Sequence, residues 1–265
     1  MYCRRNQFKD GIVNLLVDIG NSRVKWLLHD NAENGFRSSG AMLYDKPNMP
    51  ALFYEHWDHL DCPDRVLVSN VSGPNIADIL DACVEKEWHV EAEYVKTEAF
   101  SHGVQNAYSD YCKLGVDRWM AIIAAWQRYR RYEEAICVVD CGTATTIDGI
   151  SESGQHMGGF IFPGYTMMQE ALLNNTSNIN TVRQIIPSIT FSNTTEQGVN
   201  SGCYVAMFAA INRVVTSMKD DHGGQLRCII TGGNAELVLE QLAAEFEHEP
   251  DLVLHGLAVY SGQKQ

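Results

Sequence analysis

The chain has 265 residues, 45% of them hydrophobic, enough for one large domain or two medium ones with their own cores. A formal net charge of −13 and a pI near 5.0 argue against a nucleic-acid-binding face, which needs clustered cations. They leave room for an anionic small substrate met by a few local cations and helix N-termini. The eight cysteines are scattered without a CxxC pair, and no apolar run is long enough for a membrane span, so a cytoplasmic protein with reduced thiols and no membrane contact is expected.

The first ten or so residues, basic but without an apolar run behind them, read as a loose extension. "NLLVDIGNSRVKWLL" (14–28) then reads as a strand, a turn and a second strand over Val24–His29, with a third over Phe36–Leu43. A helix over Met49–Leu60 precedes the strand "RVLVSN". Ser72 is placed to cap a helix with Pro74 in its first turn, running to about Glu87. "HVEAEYV" reads as a further strand, and "DRWMAIIAAWQRYRR" (117–131) as an apolar helix joining two halves. Its Trp119 and Trp126 have spacing that suits a core or a dimer face.

The second half repeats the order. "CVVDCGTATTIDGI" (137–150) ends its first strand on Asp140 and continues in a strand over Thr145–Ile150. A strand over His156–Phe162 runs into a helix from Gly164, and a long helix covers Thr195 to about Met218. The strand "LRCIIT" leads into the helix "GGNAELVLEQLAAEF"; a short strand at Leu252–Leu254 and a terminal helix finish the chain. The loop 174–192 is the segment expected to be mobile.

Laid over each other, Val17-Asp18-Ile19-Gly20-Asn21-Ser22 matches Val139-Asp140-Cys141-Gly142-Thr143-Ala144 at an offset of 122 residues. One such hairpin means little; two at half-chain spacing indicate a duplicated domain. The expected fold is therefore α/β, two duplicated ribonuclease-H-like domains with a cleft between them. The division falls into 1–116, carrying the phosphate loop, and 117–265, carrying the linking helix and the second half.

Gly in a strand-turn-strand lets backbone N–H groups approach a phosphate. Two carboxylates, Asp18 and Asp140, facing each other over a cleft would repel nucleotide phosphates unless a cation lies between them, which points to Mg²⁺ or a monovalent ion. Lys25 either reaches a phosphate or is a solvated strand lysine. Thr143 offers a hydroxyl and an amide, and Cys141 reads as a small buried filler. In "KLGVDRW", Asp117 either caps its helix or orients a substrate hydroxyl and takes its proton, with Arg118 holding an anionic group. "MGGFIFPGY" and "ITGGNAEL" bring small residues to places of close approach. The nine histidines show no partner pattern, and Asp148 reads as belonging to the far end of its hairpin, away from any ion site.

The ordered set "DIGNSRVK", "LGVDR", "DCGTATTID", "GGFIFPG", "TTEQGVNSG" and "TGGNAE", spanning Asp18 to Glu236, resembles the type III pantothenate kinases of the acetate-kinase/hexokinase/actin-like superfamily. That resemblance implies ATP-dependent phosphorylation of pantothenate to 4'-phosphopantothenate, the first step of coenzyme A synthesis. It implies Mg²⁺ with ATP, a monovalent cation such as K⁺ or NH₄⁺, and a homodimer. By position it makes Asp18, Ile19, Gly20, Asn21, Ser22, Arg23, Val24 and Lys25 the ATP-phosphate loop, with Thr143 a further ATP contact. Asp117 corresponds to the proton acceptor; Gly115, Val116, Asp117 and Arg118 to a pantothenate-binding turn; Tyr108 and Thr195 to pantothenate contacts, with Thr194 one register away; and Asp140 to the monovalent-cation ligand. Gly198 stands where the family tends to have alanine, a departure that lowers helix propensity and touches no chemistry. Two other readings remain: a kinase of the same superfamily acting on a sugar or carboxylate, and a nucleotide-binding regulator without turnover. Three carboxylates at the motif positions argue against the regulator, since a pure binder needs no base beside a substrate.

Overall fold

A computed structural model describes residues 12–30, 35–44, 49–177, 179 and 187–262. The N-terminal extension lies outside the described residues, as does the centre of the 174–192 loop. The chain forms two compact units, the first running up to His102 and adding Tyr108–Gln127 and the stretch from Leu252 onward; the second takes Gly103–Ala107 and Arg128–Asp251.

In the first unit, β1 (Val13–Ile19) is apolar apart from Asn14 and Asp18 and is buried on both faces, as a central strand must be. It pairs antiparallel with β2 (Arg23–Asp30) and parallel with β4 (Arg65–Asn70). With β3 (Gly35–Leu43) and β5 (Ala92–Tyr94) the strand order is β3-β2-β1-β4-β5. Helices α1 (Met49–Trp57) and α2 (Pro74–Trp88) bury Phe53, Trp57, Ile76, Leu80, Val84 and Trp88 against the sheet in one core. The Trp57 and Trp88 rings stack at 5.7 Å. The short strand β6 (Phe100–Ser101) follows, while β7 (Val104–Gln105) belongs with the second unit. The apolar helix α3 (Val116–Tyr129) buries Trp119, which is fully enclosed, and Trp126, so both tryptophans are core.

The second unit repeats the plan. Strands β8 (Ala135–Cys141), β9 (Ala144–Ile150), β10 (His156–Pro163), β11 (Leu226–Thr231) and β12 (Phe246–His248) have the order β10-β9-β8-β11-β12. Pairings repeat too: β8 is antiparallel to β9 and parallel to β11. Helix α4 (Tyr165–Asn175) follows β10, and the long α5 (Thr195–Asp221) packs Tyr204, Met207, Ile211 and Val215 against Cys137, Val139 and Cys141. Both units are thus ribonuclease-H-like sheets, the duplicated plan of the actin-like ATPases.

Three expectations are corrected, and the compact units divide the chain differently from the expected division. Leu252–Leu254 is the first turn of helix α7 (Leu252–Ser261), not a strand; a short apolar run does not distinguish the two, and here Leu252, Val253, Leu254 and Leu257 are buried around the helix, which packs on β1, β2 and β4. The helix after "TGGN" covers only Ala235–Leu239 (α6), because Phe246–His248 pairs parallel with Cys228–Ile230 as the sheet's fifth strand. Ser72 does not cap α2: the N-cap is Gly73, at φ 98°, and the Ser72 hydroxyl meets the Tyr44 hydroxyl at 2.6 Å. The division after residue 116 differs from the compact units, since α3 through Gln127 and all of α7 belong with the first.

Candidate active site

Asp18 lies near the C-terminal end of β1, opposite Lys25 on β2 and in register with Ser69 on β4. The Ser69 hydroxyl donates to the Asp18 carboxylate at 3.0 Å, which aims it. The turn after it is closed by the Gly20 N–H donating to the Arg23 carbonyl at 3.0 Å, and the Tyr44 hydroxyl donates to the Gly20 carbonyl at 2.7 Å. Asn21, Ser22 and Arg23 are exposed on this turn and Lys25 is half-buried. Ile19 and Val24 have their side chains fully in the core, so only their backbone is available to a ligand.

Asp140 occupies the equivalent place at the end of β8, in register with Thr231 of β11. Ser69 and Thr231, each opposite its aspartate, were missed in the sequence. Aligning "RVLVSN" with "LRCIIT" puts a hydroxyl residue near each strand end and is the signal that finds them. Around Asp140 the chain has almost no side chain. A Cβ on Gly232 would come within 2.4 Å of the Asp140 Oδ1, and one on Gly142 within 3.3 Å. A Cβ on Gly164 would lie 2.4 Å from the Gly142 carbonyl oxygen, and the Gly164 N–H donates to the Thr143 carbonyl at 3.0 Å. Thus "DCGT", "FPG" and "TGGN" converge on one end of the second sheet. Thr143 is exposed there. Burial, helped by the Asp140 charge, pushes the neighbouring Cys141 thiol up to about 12, so it stays protonated as an inert filler.

Asp117 is half-buried in the first turn of α3, and its Oδ1 accepts the Arg118 N–H at 2.7 Å. The carboxylate is packed against Gly115, where a Cβ would sit 2.7 Å from Oδ1. Arg118 is buried, and its guanidinium donates to the Tyr108 hydroxyl at 3.0 Å. Gly115, Asp117, Arg118 and Tyr108 are therefore brought together in the first unit, with Val116 beginning the helix.

In the second unit, Thr194 is the N-cap of α5, its hydroxyl accepting from the Gln197 N–H at 3.3 Å, while Thr195 is exposed at the first helical position. Beside it lies a polar recess of about 180 Å³ lined by Ser188, Thr190, Ser192, Gln197 and Asn200. Buried Asn200 accepts from the Tyr165 hydroxyl at 2.9 Å and from the Gln169 amide at 2.6 Å, tying α5 to α4. Contrary to the expectation, histidines do have partners: His222 meets Glu152 at 2.7 Å near the surface, and His156 and Asp148, both buried, meet at 3.0 Å. Among the described residues no three His, Cys, Asp or Glu side chains are grouped for a metal, and no helix is long and apolar enough to cross a membrane.

The profile of the type III pantothenate kinase family matches residues 14–217. The chain is 38% identical over 246 residues to the type III pantothenate kinase of Nitrosococcus oceani, covering 92% of each, and 33% identical to that of Nitrosospira multiformis, covering 92% of this chain and 88% of the relative. Among solved structures it resembles a conserved putative Baf family transcriptional activator from Campylobacter jejuni (TM-score 0.57, 20% identity, 92% and 96% of the two chains). It also resembles the ethanolamine utilization protein EutJ from Carboxydothermus hydrogenoformans (TM-score 0.53, 14% identity, 94% and 89%). These two likenesses concern the fold; the family profile and the relatives, matching most of the chain, establish that it belongs to the type III pantothenate kinases.

Proposed function

We propose that this member of the family transfers the γ-phosphoryl group of ATP to a hydroxyl of pantothenate, giving 4'-phosphopantothenate in the first step of coenzyme A synthesis. The observation that carries the reading is the repeated register of the two aspartates. Asp18 opposite Ser69 and Asp140 opposite Thr231 stand at equivalent strand ends, each followed by a glycine turn of little bulk. Exposed backbone in such turns suits phosphate binding. In this reading Asp18 through Lys25 hold the phosphates, with Ile19 and Val24 contributing main chain only, and Thr143 adds a hydroxyl to the nucleotide.

Asp117 takes the role of base. In a loose phosphoryl-transfer transition state such a group mainly orients the attacking hydroxyl and receives its proton. The Arg118 N–H bonded to its Oδ1 supports this by fixing one carboxylate oxygen. Gly115 keeps the carboxylate uncrowded, Arg118 and Tyr108 recognise the polar groups of pantothenate, and the exposed Thr195 adds a contact from α5. Because Thr194 is engaged in capping, Thr195 is the better candidate of the two.

Asp140 fits a hard cation. Its carboxylate borders a cradle that a Cβ on Gly142 or Gly232 would fill, and on the Gly142 side that cradle is bordered by the Asp140 Oδ1 and the Ala144 carbonyl, oxygens of the kind that K⁺, NH₄⁺ or Mg²⁺ prefers. A cation there, and Mg²⁺ carried with ATP, supplies positive charge against the phosphates. A homodimer belongs to the same reading. Edge strand β10 exposes Met157, Phe160 and Ile161, and α4 has no buried residue and exposes Met167 and Leu172, an apolar surface suited to a second copy. A cytoplasmic setting accords with the seven described cysteines, all of them thiols.

The test is Asp117→Asn: kcat with pantothenate should fall by about 10²–10⁴-fold while nucleotide binding persists. Near-normal turnover would remove Asp117 from the base role.

A further inference from the structure

The buried His156–Asp148 pair is not used by the chemistry above, and it sits at an irregular point of the second sheet. Strands β9 and β10 are in regular register from Pro163 back to Gly158, opposite Ala144 to Gly149; the register then shifts, and His156 faces Ile150 with Met157 as the extra residue. Bulges of this kind re-aim a side chain and are over-represented beside active sites. Here the shift accompanies an imidazole that is fully enclosed.

The two ring nitrogens of His156 have separate partners. Nε2 lies 3.0 Å from the Asp148 Oδ1, and Nδ1 lies 3.4 Å from the backbone nitrogen of Ala107, whose N–H donates to it. An Nδ1 that accepts carries no proton, so the ring proton is on Nε2 and points at Asp148, which fixes the tautomer. Ala107 ends a short segment stitched to the same turn. The Gln105 N–H donates to the Gly154 carbonyl at 3.0 Å, the Gln155 side-chain amide donates to the Gln105 carbonyl at 3.3 Å, and Val104 and Asn106 are buried. The next residue along the chain is Tyr108.

We propose that His156, with its tautomer set by Asp148, is a positioning residue for Tyr108: by gripping the Ala107 amide at the bulge it holds the chain where the Tyr108 hydroxyl can meet both the Arg118 guanidinium and pantothenate. The proposal rests on the reading of Tyr108 as a pantothenate contact. Its specificity follows from the role read for Tyr108, a pantothenate contact outside the Asp18–Lys25 segment. A displaced Tyr108 therefore weakens pantothenate binding and leaves ATP binding alone.

The experiment is a double-mutant cycle on the full-length protein with His156→Gln and Tyr108→Phe, reading KM for pantothenate, KM for ATP and kcat. Asp148→Asn serves as a second entry to the cycle should His156→Gln fold poorly. Loss of one positioning hydrogen bond should raise the pantothenate KM about three- to tenfold, with the ATP KM within about twofold. In the Tyr108→Phe background the same change should have little further effect, because the two act through one contact. If Tyr108→Phe raises the pantothenate KM and His156→Gln multiplies it by its full single-variant factor, the coupling is absent and the proposal is overturned while the reading of Tyr108 stands. If Tyr108→Phe leaves the pantothenate KM unchanged, both fall. Equal rises in both KM values would mark His156 as a residue of general packing and would also overturn it.

Discussion

Gly232 lies against Asp140 so closely that a single methyl group at position 232 would sit 2.4 Å from the aspartate's Oδ1. Gly232 also has φ 94°, a conformation L side chains rarely adopt. The turn after β11 and the end of β8 are therefore one construction, in which the absence of a side chain on one strand shapes the carboxylate's surroundings on the other. Gly232→Ala should displace Asp140 and lower kcat by at least about tenfold, as small misplacements at reacting centres do. Gly202→Ala on α5, where an added Cβ meets nothing within 4 Å, should leave turnover unchanged and is the control. Steady-state rates of the two variants decide this; equal rates would detach Gly232 from the site.

Exchange of cations tests the role of Asp140. With Mg²⁺ and ATP held constant, replacing K⁺ by Na⁺ should slow the wild-type enzyme, because a cradle of fixed oxygens discriminates by ion size. Asp140→Asn should be slow in both and largely lose the difference. A wild-type enzyme indifferent to the monovalent ion would contradict the assignment.

Placing a charge on the apolar edge of β10 should separate copies. Ile161, 60% exposed, lies on the edge strand. Ile161→Glu should convert a dimer into a monomer at micromolar concentration by light scattering. A wild-type monomer, or a variant that stays dimeric, would remove this face from the interface.

Acid stability should report the Arg65–Glu93 pair. The Arg65 guanidinium makes two hydrogen bonds, at 2.7 and 2.8 Å, to Glu93 and holds its carboxyl below the usual 4.5. A carboxylate with a lowered folded pKa contributes stability that is complete above its ordinary value and is lost as pH falls through the lowered one. The wild-type Tm should therefore drop as pH falls below about 4.5, and Glu93→Gln should show a flatter dependence in that window. Parallel curves would show the pair to be without net effect, as exposed pairs often are.

The duplicated plan was legible because Asp18 and Asp140 each end a strand buried on both faces and each precede a glycine turn, a pattern that survives without any knowledge of packing. The elements near the C-terminus were not. Leu252–Leu254 carries the same apolar signature in a strand or a buried helix, and Phe246–His248 becomes a strand only because Cys228–Ile230 offers it an edge. Within the site, residues next to a motif were readable and those that meet it through space were not. Ser69 reaches Asp18 across a parallel pairing 51 residues away, and His156 meets Asp148 at the point where the register of β9 and β10 shifts. Sequence distance carries no information about either.

The most direct measurement of the central claim is ADP release with pantothenate, a sugar or acetate as the only acceptor, each in K⁺ and in Na⁺, for the wild type and Asp117→Asn. The account predicts rapid release with pantothenate alone, faster in K⁺, and its loss in Asp117→Asn. Release that is equally fast with a sugar or acetate, or that continues without any acceptor at the pantothenate rate, would contradict it.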